Sequence, residues 1–77
     1  MIEQRLIKIF SLFFKIKDKT RIKKLSINNE KKWDSLLHIK LILCIEEEFQ
    51  TKLSNYNIEK LNSFQKIINY ISKLNLK

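Results

Sequence analysis

Apolar residues return at the spacing of an α-helix in three blocks of this chain, and 77 residues leave room for only one hydrophobic core to receive them. In residues 2–16, Ile2, Leu6, Ile9, Phe10, Phe13 and Ile16 form one stripe at 100° per residue, widened by Ile7, Leu12 and Phe14. Gln4, Lys8, Ser11 and Lys15 lie opposite. A stripe this wide faces a core, although the basic polar side would also suit a lipid headgroup surface.

The second block, 35–50, is apolar on nearly every side and closes on Glu46-Glu47-Glu48-Phe49. Leu41, Ile42, Ile45 and Phe49 share one face, while Leu36, Ile39 and Leu43 share another beside Lys40 and Glu47. The first face belongs in a core; the second is either covered by the loop before it or offered to a partner protein. In the third block Phe64, Ile67, Ile68, Ile71 and Leu74 line one side, and Asn62 with Gln65 has the form of a capping box opening the helix.

Between these blocks the period fades. Residues 17–33 read as a long loop anchored by Ile22, Leu25, Ile27 and Trp33, because loops of this length usually carry packing residues of their own. Residues 57–61 allow one short helical turn. No segment alternates with period two between turn residues, and no internal repeat is visible. The expected fold is therefore an all-α, small four-helix bundle with three longer helices, one short helix and a long first loop, occupying residues 1–77 as a single domain.

Most enzyme classes are excluded by what is missing. There is no glycine to cradle a phosphate, no pair of carboxylates flanking a cleft, and no Cys/His cluster with zinc spacing. His38 has no catalytic partner in sequence, so no catalytic residue and no metal ligand is assigned. Cys44, the single cysteine, forms no internal disulfide and reads as a small half-buried hydrophobe. Glu3, Arg5 and Lys8 interrupt the apolar N-terminus and no small-residue cleavage site follows, so a signal peptide is not expected, and no apolar run is long enough to span a bilayer. A cytoplasmic location is expected.

The net charge of +8 raises nucleic acid or an anionic membrane as partner. Alanine, valine, glycine and proline are all absent while Lys, Ile and Asn abound, as an AT-rich genome would produce, so the Lys excess by itself is weak evidence for such a partner. Residues 1–32 hold a charge of +7, residues 33–50 hold −3 and residues 51–77 hold +4. The most strongly patterned stretch is thus the acidic one, the reverse of a nucleic-acid-docking element.

At that stretch the chain carries Trp33-Asp34-Ser35-Leu36, then Ile45-Glu46-Glu47-Glu48-Phe49. This pattern resembles the acyl carrier protein family, in which an Asp-Ser-Leu tripeptide opens the second helix and an acidic-aromatic stretch follows about a dozen residues later. The resemblance covers nearly the whole chain: IEQRLIKIF, the loop, the short third element and FQKIINYI fall in the family's order. An Asp-Ser pair before an apolar run is ordinarily only a helix cap. The full pattern in register makes it more than that.

The resemblance implies a bundle of acyl-carrier type that is no enzyme. It implies that Ser35 is the attachment point of a phosphopantetheine arm, placed there from coenzyme A by a phosphopantetheinyl transferase, with an acyl or aminoacyl group carried as a thioester on the arm. A phosphodiester there would meet the unpaired N–H groups and positive end of a helix, with Asp34 capping the same turn. Leu36 and His38 would lie near the arm, His38 chiefly bonded to backbone. Leu36, Ile39, Lys40, Leu43 and Glu47 would meet partner enzymes.

The chain also departs from the family pattern. Housekeeping carriers have a glycine shortly before Asp-Ser-Leu and carboxylates early in the second helix; here Lys31 and Lys32 precede Trp33, and Lys40 stands where a carboxylate is expected. Only Glu47 of the three glutamates shares a face with Leu36 and Leu43. This implies a monomeric carrier with acyl-activating and acyl-transferring enzymes of a dedicated pathway, lipid or specialised-metabolite, and no nucleic-acid partner. A peptidyl or D-alanyl carrier remains possible. The competing reading is a small basic helical module that binds nucleic acid or an anionic membrane through Lys8, Lys15, Lys17, Lys19, Arg21, Lys23 and Lys24.

Overall fold

The computed structural model describes residues 2–53 and 58–74. Its elements are α1 (Ile2–Phe14), α2 (Lys19–Lys23), α3 (Ser35–Phe49) and α4 (Phe64–Lys73), with no strand among the described residues. Helix α1 packs on the other three, and α2 also meets α4. The all-helical expectation holds, as do the positions of the three long helices.

The core is built from the periodic faces. Leu6, Ile9, Phe10 and Phe14 of α1 meet Leu41, Ile42, Ile45 and Phe49 of α3, and Phe64, Ile67 and Ile71 of α4, all buried. Phe10 stands at the centre, with ring centroids 5.6 Å from Phe14, 5.5 Å from Trp33 and 5.1 Å from Phe64, the last two edge-on. Such edge-to-face pairs fix orientation as well as burying area.

The long loop is more ordered than its sequence suggests. Asp18 accepts from the N–H groups of Thr20 (2.9 Å) and Arg21 (3.4 Å) and so nucleates the five-residue α2, which places Ile22 in the core. Leu25 and Trp33 are buried as expected and Ile27 packs against the core. Two backbone bonds tie the loop to the start of α4: Ile27 N–H to the Asn62 carbonyl (2.9 Å) and Phe64 N–H to the Leu25 carbonyl (3.0 Å).

Three expectations need correction. The stretch read as loop, 17–33, contains a short helix. The cap of α4 is Ser63, whose hydroxyl accepts from Lys66 N–H (3.1 Å), and not Asn62; the Gln65 amide donates to the Lys23 carbonyl (3.3 Å) instead of closing a box. Leu12, expected in the apolar stripe, is 70% exposed, at the rim of a groove between α1 and α2 rather than in the core. Of the short turn expected at 57–61, Asn57 lies outside the described residues, and Leu61 N–H donates to the Ile58 carbonyl at 3.2 Å.

With no glycine in the chain, two of the four described helices are followed by a side-chain-bearing residue in the left-handed region. Lys15 after α1 has φ 56° and Gln50 after α3 has φ 50°. Each costs about 1–2 kcal/mol. Gln50 recovers part of this by donating its N–H toward the Glu46 and Glu47 carbonyls.

Candidate functional site

The site forms where the loop delivers Trp33, Asp34 and Ser35 to the start of α3. Asp34 caps the helix, its Oδ1 accepting from Leu37 N–H at 2.8 Å while its carbonyl accepts from His38 N–H at 2.9 Å. The His38 bond is the first regular bond of the helix, so the cap satisfies one of the orphan donors of the first turn, the Leu37 N–H. Among the described residues, the N–H groups of Ser35 and Leu36 have no acceptor. Ser35 is exposed, and it is the first residue of a 15-residue helix whose dipole places positive potential at that end.

Behind this turn lies a buried polar relay. Trp33 Nε1–H donates to His38 Nδ1 at 2.9 Å, and His38 Nε2 lies 2.7 Å from the Ile58 carbonyl. An indole nitrogen can only donate and a carbonyl can only accept, so Nδ1 is the bare nitrogen and Nε2 carries the proton. The neutral ring is buried, 8% exposed, and spends both nitrogens on the fold. His38 is bonded to backbone through the Ile58 carbonyl, and Trp33, edge-on to Phe10 and tilted against Phe14, is buried and pins the loop to the bundle.

Ser35 and His38 stand on the wall of a cavity of about 660 Å³ that opens beside the helix terminus. Its apolar walls are Ile27, Ile39, Ile42, Leu43, Leu53 and Ile58, with Glu46 and Glu59 on the polar margin. Glu46 is committed there: its Oε2 accepts from Leu53 N–H at 2.7 Å and so closes the turn after α3. Sequence periodicity could not have assembled this cavity, because Ile27, Leu53 and Ile58 come from three irregular segments. Their one visible signal is that each is an isolated aliphatic within a polar stretch.

The outward face of α3 is apolar and open. Leu36, Ile39 and Leu43 are 62%, 54% and 59% exposed, and Lys40 and Glu47 beside them are exposed as well. Of the two possibilities for this face, loop cover is not the one realised. The acidic triplet divides: Glu46 is internal to the fold, Glu48 pairs with Arg5 Nε at 2.9 Å, and Glu47 has no ion pair among the described residues. Arg5 also donates to the Glu48 carbonyl and lies 4.5 Å over the Phe49 ring, joining the start of α1 to the end of α3.

Cys44 is half-buried on α3. Partial burial, then the charges of Glu47 and Glu48, push its thiol pKa above the ordinary value, so it stays protonated and weakly nucleophilic. No group of His, Cys, Asp and Glu among the described residues could hold a metal ion, and no described helix is long and apolar enough to cross a membrane.

Comparison with known proteins agrees with this geometry. The chain is 38% identical over 76 residues to the acyl carrier protein of Buchnera aphidicola from Schizaphis graminum, spanning 99% of this chain and 96% of that one. It is 38% identical over 76 residues to the acyl carrier protein of Buchnera aphidicola from Acyrthosiphon pisum (strain Tuc7), spanning 99% and 95%. A Schizosaccharomyces pombe protein whose name describes a mitochondrial acyl carrier protein is 32% identical over 72 residues, 92% of this chain and 64% of that one. No family model matches the chain.

Proposed function

Because the chain belongs to the acyl carrier protein family and serves as a carrier with no catalysis of its own, we propose that the Ser35 hydroxyl is esterified to phosphopantetheine by a phosphopantetheinyl transferase using coenzyme A. The observation that carries this reading is the exposed serine at the first position of α3, beside two unfilled backbone donors and an apolar cavity. When bound, the arm supplies a thiol on which cargo travels as a thioester.

The residues present fit such a group. The N–H groups of Ser35 and Leu36 face the place a phosphodiester would occupy, where the helix terminus favours an anion. Asp34 holds the turn by capping Leu37 and leaves those two donors free. His38 offers no unspent ring nitrogen, so its part is to fix the cavity wall through Trp33 and Ile58. An apolar lining of Ile39, Ile42, Leu43 and Leu53 suits an acyl chain better than an aminoacyl group. Tethering would raise the cargo's effective concentration at a partner's active site to the millimolar range of short flexible links, about 10⁻³ M.

Leu36, Ile39, Lys40, Leu43 and Glu47 form the docking face, with apolar area exposed at its centre. With Glu46 bonded to the Leu53 N–H and Glu48 paired with Arg5 at the surface, Lys40 and Glu47 leave this face near neutrality. Enzymes that recognise carriers through basic patches would bind it weakly, which favours acyl-activating and acyl-transferring partners of a dedicated pathway in the cytoplasm. The chain acts as a monomer and one domain in this reading.

The test is an intact-mass measurement after incubation with coenzyme A and a broad-specificity transferase. The mass rises by one phosphopantetheine in the wild type and stays unchanged in Ser35→Ala. An unchanged wild-type mass, in a sample shown to be folded by circular dichroism, would overturn the proposal.

A further inference from the structure

Helix α1 carries a second exposed feature for which the carrier reading has no use. Gln4, Lys8 and Leu12 follow one another down one side of α1, and all are exposed. The turn after α1 brings Lys17 and Lys19 to the same groove, about 590 Å³, whose apolar residues include Ile7 and Ile22. No carboxylate lines it among the described residues. The acids close by in sequence are engaged elsewhere: Glu3 Oε1 pairs with Lys23 Nζ at 2.8 Å, and Asp18 accepts from the backbone of α2. Lys8, Lys15, Lys17 and Lys19 have no ion pair among the described residues.

A lysine-rich composition raises the charge everywhere; it does not keep acids off one face. Nor does it explain Leu12, which at 70% is the most exposed large apolar side chain among the described residues and shares the groove with Lys8, Lys17 and Lys19. Nucleic acid would use the lysines but gain little from a protruding leucine, since its backbone is read by charge. A bilayer surface uses both: lipid phosphates attract the lysines, and the boundary between headgroups and acyl chains accepts the leucine. We propose that this face of α1, with Lys17 and Lys19, seats the carrier on an anionic membrane surface with Leu12 entering the headgroup region. Ser35 and the docking face of α3 lie on another helix, across the core, and remain free for a partner.

The probe is a vesicle of equal parts phosphatidylglycerol and phosphatidylcholine, with binding of the full chain read by cosedimentation. Wild type binds these vesicles, does not bind pure phosphatidylcholine, and is released by salt. The attraction of a single basic side chain to an anionic leaflet corresponds to about fivefold, so Lys8→Glu with Lys17→Glu weakens binding by about 25-fold or more. Leu12→Gln weakens it several-fold. Lys31→Glu with Lys66→Glu, an equal charge change on other surfaces, moves it by no more than about twofold. Four results would each overturn the proposal: no vesicle binding, an equal loss in the Lys31/Lys66 variant, no effect of Leu12→Gln, or displacement by DNA at matched charge concentration. All variants are at exposed positions and can be checked for native circular dichroism. The assay uses unmodified chain, so its outcome is independent of loading at Ser35.

Discussion

His38→Ala isolates the buried relay behind the site. The substitution leaves the Trp33 indole N–H, on a residue 3% exposed, without its acceptor, and it frees the Ile58 carbonyl that His38 holds at 2.7 Å. A buried donor left unsatisfied costs about 1–3 kcal/mol, and the vacated ring space adds to that, giving a loss of roughly 2–4 kcal/mol. A domain of this size has about 4–12 kcal/mol in all, so the variant should be folded but weak, with Tm lowered by roughly 10–25 °C. Urea denaturation followed by circular dichroism measures this, with an unchanged m-value showing that the native state is otherwise intact. His38→Gln, which can still present an acceptor and a donor, should recover part of the loss. Trp33→Phe with His38→Ala closes a double-mutant cycle, and a coupling of about 1–2 kcal/mol is expected. A loss below about 1 kcal/mol in His38→Ala, or strictly additive losses in the cycle, would refute the relay as a structural tie.

Three further outcomes follow from the same structure. Phe10→Ala removes a fully buried ring that touches Phe14, Trp33 and Phe64, and should cost about 3–5 kcal/mol in the same urea assay, leaving the domain largely unfolded near body temperature. Leu43→Ala, at a position 59% exposed, should change stability by no more than about 0.5 kcal/mol yet lower kcat/KM for arm transfer by about fivefold or more, and because Lys40 and Glu47 offset each other that rate should depend weakly on salt. For Cys44 the raised thiol pKa makes alkylation by iodoacetamide at mildly alkaline pH slower in the folded chain than in urea; the folded thiol keeps its proton longer, so stability falls as pH rises from the ordinary thiol value toward the raised one, and equal alkylation rates would contradict this.

The long helices could be read from sequence because each buries a face defined by its own spacing. Leu41, Ile42, Ile45 and Phe49 declare themselves as a set, and so does the leftover face of Leu36, Ile39 and Leu43. Asp34 as a cap is equally local: the carboxylate and the N–H it satisfies are three residues apart. Helix α2 escapes such reasoning because five residues with one buried side chain, Ile22, have no period to detect. Its existence depends on Asp18 and on a place in the core prepared by other helices. The slip from Ser63 to Asn62 has a similar origin. Both are good caps by composition, and the choice was made by tertiary bonds that take the Asn62 carbonyl for Ile27 and the Gln65 amide for Lys23. Leu12 was misplaced because periodicity assigns a residue to a stripe without saying how much of that stripe finds a partner.

The candidate site shows the same limit at finer scale. Ser35 and its cap are legible as a motif, but the cavity beside them joins Ile27, Leu53 and Ile58 from irregular segments, and only folding brings these together. Even the acidic triplet, a single run in sequence, becomes three different things: Glu46 closes a turn, Glu48 clamps Arg5, and Glu47 alone faces solvent without a partner among the described residues. A run of three negative charges therefore gives the exposed apolar face one, opposed by Lys40 on the same helix stripe. Charge steering toward this face is correspondingly weak, and recognition there must draw on the apolar area of Leu36, Ile39 and Leu43. That area can stay exposed without cost to the fold because the core is completed by the opposite side of α3, and the Asp34 cap with the Trp33–His38 relay holds the helix terminus in place whether or not a partner is bound.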